Sequence, residues 1–234
     1  MHHFRAPDAR RFISASLMIG IAFVIFGASF GVLSVSAGAS IAQSCAMSLL
    51  VFTGASQMSA VSVIASGGSV ASAFGGAVLL SGRNAVYGLA MSPVLKEGSL
   101  ASRLLGAQWV IDETTAVVSA ENDPATRRTA FWISGAILYA SWNIGTLLGA
   151  LVGSSINPSD FGLDAAFPVM FTAMIAPHLR TSTGRKAALF GAVAAVALAP
   201  FMPIGLPILV SALGMLFGLS PTSDESTAMT DGAT

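Results

Sequence analysis

Charge is what this chain has least of. Only 9% of its 234 residues are Asp, Glu, Lys or Arg, where a soluble domain carries ~25%. That is too little polar surface to cover a water-soluble body. The few charges also cancel, 11 basic against 11 acidic, which excludes a nucleic-acid binder held by a basic face. There is a single cysteine, Cys45, inside an apolar run, so no internal disulfide can form and a small core residue is the expected role. Histidine is nearly as scarce: His2 and His3 precede any expected structure, and His178 lies beside Arg180 as an expected surface residue. No Ser-His-Asp set, metal-ligand spacing or phosphate-cradling loop occurs, so an enzyme, a metal site and a cofactor are not expected.

What is abundant is apolar sequence, 54% of the chain. It comes in runs that fit helices rather than the short alternating strands of a barrel, and lipid leaves backbone groups no partner outside those two structures. The expected fold is an all-α integral membrane protein with eight transmembrane segments, some short or interrupted: 14–36, 41–65, 70–94, 104–120, 129–153, 165–179, 187–202 and 204–219. The last two are short, and seven spans result if they form one re-entrant unit. Residues 1–13 read as a cytoplasmic N-terminal segment, 14–219 as the transmembrane transporter domain and 220–234 as a disordered polar tail. The basic N-terminus looks like a signal peptide, but its apolar run is too long and lacks a cleavage site, so a retained first helix is expected.

Lysine and arginine placement sets the orientation. With eight spans, Arg5, Arg10, Arg11, Arg127, Arg128, Arg180, Arg185 and Lys186 fall on one side and only Lys96 and Arg103 on the other. Both termini are then expected in the cytoplasm, the protein lying multi-pass in the cytoplasmic membrane. A weak internal repeat is also visible. Phe30-Gly31-Val32-Leu33 leads to Leu49-Leu50-Val51-Phe52 much as Leu148-Gly149-Ala150-Leu151 leads to Pro168-Val169-Met170-Phe171. Segments one to three would then repeat as five to seven, parallel if segment four spans and inverted if it only dips in.

Two places put charge deep in apolar sequence: Arg83 in segment three, and Asp112-Glu113 in segment four. A charge at that depth costs at least ~2.5–3.5 kcal/mol, so both must face protein, water or a ligand. Arg83, Asn84 and Tyr87 are close on one helix, and an arginine fork fits a carboxylate, whether a ligand's or a structural aspartate's. In segment four, helical spacing puts Gln108, Asp112, Thr115 and Ser119 on one face, with Glu113 rotated about 100° away. Burial and a nearby cation pull a carboxylate's proton in opposite directions, which makes Asp112 or Glu113 the expected proton carrier and plain pairing with Arg83 the alternative. Segment two is interrupted by Thr53-Gly54-Ala55-Ser56-Gln57. Thr53, Ser56 and Gln57 share a face, Gly54 permits unwinding, and unwound backbone at membrane depth is tolerated only where it lines a cavity. Segment five offers Tyr139, Trp142, Asn143 and Thr146 on one face, and a ladder of Gly145, Gly149 and Gly153 suited to close helix packing. The ladder, with Gly214 and Gly218, is a candidate docking face for a partner helix.

These motifs together resemble the AzlC family of branched-chain amino-acid exporters. Phe52-Thr53-Gly54-Ala55-Ser56-Gln57 resembles its F-x-G-A-S-Q signature, Arg83 with Tyr87 and Gly88 its N-x-R-H-x-x-Y-G segment, and Asp112-Glu113 its D-E motif. Phe161-Gly162-Leu163-Asp164-Ala165-Ala166-Phe167-Pro168 is similar to its G-L-D-F-A-L-P stretch. Ser81 and Asn84 stand where the family has Asn and His. The resemblance implies a secondary transporter that exports neutral apolar amino acids (Leu, Ile, Val, Met), ion- or proton-coupled, as large subunit beside a small AzlD-like membrane protein. The alternatives are a small-solute channel and a structural subunit. The candidate substrate-binding or coupling residues are Thr53, Ser56, Gln57, Arg83, Asn84, Tyr87, Asp112, Glu113, Trp142 and Asn143.

Overall fold

The computed structural model describes residues 6–155, 178–202 and 206–211, with 172, 175, 176, 213, 214 and 216 besides. It falls into two units, Met1–Pro168 and Val169–Thr234. Every regular element among the described residues is helical. In the first unit these are α1 (Ala6–Ser36), α2 (Ile41–Leu50), α3 (Gly54–Ala65), α4 (Val70–Leu95), α5 (Leu100–Gln108), α6 (Asp112–Ser119) and α7 (Pro124–Gly153). At 1.5 Å per residue α1, α4 and α7 reach about 39–46 Å, more than the ~30 Å hydrocarbon core of a bilayer. Ala9–Ser36 and Pro124–Gly153 are long and apolar enough to cross a membrane.

Helix α1 begins earlier than the apolar run, because charged Arg10 and Arg11 continue its first turns. It packs on α7 through glycines. A Cβ on Gly149 would meet the Ala28 carbonyl, one on Gly145 the Val24 carbonyl, and one on Gly153 the Val32 Cα at 2.7 Å; on the opposing helix, one on Gly20 would meet Ser141 Oγ at 2.8 Å. Residues 20, 24, 28 and 32 thus meet 141, 145, 149 and 153 in the same order, so the two helices run parallel. Their N-terminal ends lie on one side, tied by Arg11 Nη2 to Glu121 Oε1 at 2.7 Å. The glycine ladder of α7 is filled by α1 and is not a free docking face.

Helix α4 runs the other way. Its last turns, Met91 and Val94, join Phe12, Val118, Ala130 and Phe131 in one buried cluster. The loop after it meets the start of α7 through Arg128 Nη1 and Glu97 Oε2 at 3.6 Å. This side of the unit, holding the starts of α1 and α7 and the end of α4, is called the near side below.

The interruption in segment two is real: residues 51–53 separate α2 from α3. The two halves form a hairpin. α2 starts beside the far end of α1, where Ser44 Oγ donates to Ser34 Oγ at 2.8 Å. It descends past Thr146, which accepts from Ser48 Oγ at 3.1 Å. α3 then climbs back along α4, with Ser56 Oγ 2.8 Å from Ser81 Oγ and Ser59 beside Gly76. The turn at 66–69 therefore sits by the start of α4, on the far side.

Segment four is not the single helix its sequence pattern indicates. Residues 109–111 break it into α5 and α6, because the Trp109 ring wedges against Gly135 (2.8 Å to its would-be Cβ) and against Trp132. Gln108 and Asp112 therefore do not share one helical face. Instead, the Gln108 side-chain amide donates to Leu49 O at 3.1 Å. α5 enters from the near side and α6 returns to it, ending with Val118 in the near-side cluster and Glu121 on Arg11. Segments two and four each enter and leave on one side, whereas an eight-span count needs both to cross. Lys96 and Arg103 accordingly lie on the near side with Arg11 and Arg128, not opposite them.

The two hairpin tips meet at Tyr139 on α7. Its hydroxyl donates to Leu49 O at 2.8 Å; its ring lies 5.1 Å from Phe52 and 5.8 Å from Trp109. The order long helix, then hairpin from the side where that helix ends, occurs twice with opposite direction: α1 with α2–α3, and α4 with α5–α6. In the expected pairing of segments one to three with five to seven, α1 is parallel to α7 although segment four folds back on itself, because segment two folds back as well. Most of segment six lies outside the described residues, as do Phe161–Pro168, Gly218, the tail and the first five residues.

In the second unit a 3₁₀ turn, His178–Arg180, leads to α8 (Ser182–Leu198), capped by Thr181 Oγ1 on Gly184 N at 3.0 Å. A short α9 (Leu206–Ser211) packs on α8. A Cβ on Gly214 would lie 2.9 Å from the Ala187 carbonyl, so this glycine too is used inside the chain.

Candidate functional site

Helix starts distinguish the two hairpin tips from α2, α4, α5, α7 and α8. Five described helices open with a Ser, Asp or Thr whose side chain accepts a first-turn N–H: Ser40 for α2, Ser69 for α4, Ser99 for α5, Asp123 for α7 and Thr181 for α8. α3 and α6, the halves that begin at the tips, have no such side-chain cap. Their first-turn N–H groups present the positive end of the helix to whatever lies in front of it. In α6 that end is matched by Asp112 and Glu113 in its own first turn. In α3 the first turn, Gly54-Ala55-Ser56-Gln57, carries no charge.

Both starts flank one stretch of α4, residues 81–84. From α3, Thr53 Oγ1 donates to Ser56 Oγ at 3.1 Å, Ser56 Oγ lies 2.8 Å from Ser81 Oγ, and Ser81 Oγ donates to Ala77 O at 2.8 Å. From α6, Asp112 Oδ2 lies 2.7 Å from Arg83 Nη1, the two side chains being 33% and 31% exposed. Arg83 is held by one guanidinium nitrogen; its Nε is buried with no hydrogen-bond partner among the described residues. The neighbouring Asn84 Oδ1 is in the same condition.

Gln57 closes the first turn of α3 and is fully buried, with neither Oε1 nor Nε2 hydrogen-bonded among the described residues. A helical side chain leans back over the preceding turn, so this amide covers the uncapped start of α3. Thr115 occupies the same place, the fourth residue, in α6. It is buried as well, and its Oγ1 is unpartnered among the described residues. Unsatisfied buried polar groups are few in folded proteins; among the described residues most lie on the tips or on the stretches of α4 and α7 beside them, with Ser16 Oγ and Arg127 Nε elsewhere.

The remaining candidates are placed differently. Glu113 is half-buried in the first turn of α6. Tyr87, one turn beyond Arg83, packs against the near-side apolar cluster rather than the charges. Trp142 is buried among Phe23 and Phe30 of α1, and its ring end lies 2.8 Å from a would-be Cβ on Gly54. Only glycine fits there, so the indole forms the apolar wall of the α3 start; its Nε1 is unpartnered among the described residues. Asn143 Nδ2 donates to Tyr139 O on its own helix at 2.8 Å, leaving Oδ1 free of partners among the described residues. Thr146 is taken up by Ser48. Sequence reasoning noted Ser81 only as standing where the family has Asn and did not count it among the candidates, although its hydroxyl links α3 to α4; it also missed the role of Tyr139 between the tips. Thr115 could have been matched to Gln57 had the second break been recognised.

The fold and this site define an all-helical protein with two apolar helices long enough to cross a membrane and two hairpins of broken helix whose tips meet at Tyr139. Residues 18–156 match the family profile described as "AzlC protein", and the chain belongs to the AzlC family. An "Uncharacterized membrane protein" of Helicobacter pylori (strain ATCC 700392 / 26695) is 26% identical, covering 86% of this chain and 90% of its own. "Inner membrane protein YgaZ" of Escherichia coli (strain K12) is 29% identical over 82% of this chain and 84% of its own. An "Uncharacterized membrane protein" of Archaeoglobus fulgidus is 31% identical over 79% and 82%. No solved structure shows significant similarity.

Proposed function

We propose that this protein is a secondary transporter that exports neutral apolar amino acids, leucine, isoleucine, valine and methionine among them, across the cytoplasmic membrane. One observation carries the reading: two uncapped half-helix starts of opposite hairpins flank the Ser81–Asn84 stretch, one neutral and one acidic. A zwitterion suits that pair. Its carboxylate would take the free N–H groups at the start of α3 with the Gln57 amide, as anions do at helix N-termini. Its ammonium would take Asp112, whose present partner is the Arg83 guanidinium. Discontinuous helices at the interface of inverted repeats are a recurrent transporter design. The α2–α3 hairpin then serves as the far-side gate and α5–α6 as the near-side gate. Asp112 or Glu113 is the proposed proton carrier.

The near side is proposed to be cytoplasmic. Arg10, Arg11, Lys96, Arg103, Arg127 and Arg128 all lie there, and the far-side turns at 37–40 and 66–69 hold no Lys or Arg, as the positive-inside rule asks. The N-terminus is then cytoplasmic. A small membrane subunit of the AzlD type is proposed as partner, on the family resemblance. It docks on a face other than the Gly145–Gly149–Gly153 ladder. Cells lacking the protein should become sensitive to leucine- and methionine-containing dipeptides, since the released amino acid would accumulate. Unchanged growth on those dipeptides, with failure only on a charged or aromatic amino acid, would contradict the substrate assignment.

A further inference from the structure

At the near-side boundary α4 and α5 enclose a cleft of about 290 Å³ lined by Gly88, Ser92, Leu95, Lys96, Leu100, Arg103, Leu104 and Ala107. From the near side inward, α4 contributes Lys96 with Leu95, then Ser92, then Gly88, and α5 contributes Leu100, then Arg103 with Leu104, then Ala107, so inward of the two cations the lining is small or apolar apart from Ser92. Neither cation has a carboxylate within ion-pair distance among the described residues, unlike Arg11, Arg83 and Arg128, and no acidic residue lines the cleft. The small residues at the deep end keep it open: a Cβ on Gly88 would have nothing within 4 Å. The wall continues outward as Leu100 and Leu104, exposed by 70% and 64%.

We propose that this cleft binds an anionic phospholipid of the near-side leaflet. Its phosphodiester would be clamped by Lys96 and Arg103 with Ser92 as a hydrogen-bond donor, and the upper part of one acyl chain would lie along Leu104 and Ala107 beside Gly88. The argument is complementarity in charge and in polarity order: two unpaired cations at the water boundary, and an apolar groove leading from them towards mid-membrane. Basic pockets between helices at this depth suit lipid headgroups. A soluble anion would have no use for the apolar inner half. Because α5 is the first limb of the near-side hairpin, a lipid seated here also braces that hairpin against α4.

The test is lipid retention by the full chain purified in detergent, read by native mass spectrometry with added phosphatidylglycerol. Wild type should retain phosphatidylglycerol in preference to phosphatidylethanolamine. Lys96→Gln with Arg103→Gln should lower retention roughly 25-fold, about fivefold per basic residue lost, and Lys96→Glu with Arg103→Glu by more, while Arg10→Glu on the same side leaves it unchanged. Gly88→Leu, which fills the deep end with both cations intact, should also lower it, and this variant serves if the charge reversal fails to fold. Equal loss with Arg10→Glu, full retention in the double variants and in Gly88→Leu, equal retention of phosphatidylethanolamine, or displacement of the lipid by inorganic phosphate at matched concentration would each overturn the proposal.

Discussion

Gln57 has a fully buried amide with both polar atoms unpartnered among the described residues. Leaving such a group unmade costs about 1–3 kcal/mol, which a fold bears where the group meets a ligand. Gln57→Leu should therefore raise the thermal midpoint in detergent by a few degrees, at about 2–4 °C per kcal/mol for a chain of this size, while export falls to background. A stabilised variant that still exports would remove Gln57 from the site. Arg83 and Asp112 make the second case. Breaking a fully buried pair costs ~3–5 kcal/mol; this pair is about a third exposed, so Arg83→Ala should reduce folded yield by less than that while abolishing export. Arg83→Lys keeps the charge but loses the planar fork, and partial export at best is expected. Asp112→Asn should fold near normally and fail to couple export to protons, measured as a lost response to an imposed pH gradient.

At the scale of elements, the parallel α1–α7 contact is set by glycine. Gly149 abuts the Ala28 carbonyl so closely that any side chain must push the helices apart. Overpacking of this kind costs about 1–3 kcal/mol, occasionally more. Gly149→Leu should lower monodisperse yield on size exclusion for the protein alone; a loss seen only in the presence of a partner subunit would contradict the packing described here. The same elements show what could be read in advance. The break at Thr53-Gly54 is legible because Gly54 weakens the helix and polar residues cluster behind it. The break at 109–111 is not, since Trp109, Val110 and Ile111 look like any apolar helix and the cause is tertiary: a tryptophan ring seated on Gly135 and Trp132, and Gln108 drawn to a carbonyl of α2. Arg83 and the acidic pair stand out from sequence by depth alone, whereas Ser81 and the neutral, uncapped start of α3 become visible only once the helices are assembled.

For the whole molecule, folding segments two and four back on themselves reverses the placing of Lys96 and brings six basic residues to one side. In a Cys45→Ser background, Lys96→Cys should react with an impermeant thiol reagent from the same side as Arg10→Cys, and Ser66→Cys from the opposite one. Labelling of Lys96→Cys and Ser66→Cys from one side would contradict the hairpins. In the proposed transporter the two hairpins would open the site to either face in turn, and the apolar wall around Trp142 would discriminate poorly among aliphatic side chains, since one methylene changes binding by only ~1–3 kcal/mol. On the proposed function the Arg83–Asp112 pair belongs to a working transport site rather than to the scaffold. Counterflow of labelled leucine in proteoliposomes tests it most directly, comparing wild type with Arg83→Leu combined with Asp112→Leu at equal incorporation. Replacing both charges by apolar groups spares the fold an unpaired ion, so the double variant should insert normally and show no exchange where wild type shows saturable exchange of leucine, isoleucine, valine and methionine. Near-normal exchange by the double variant would contradict the account.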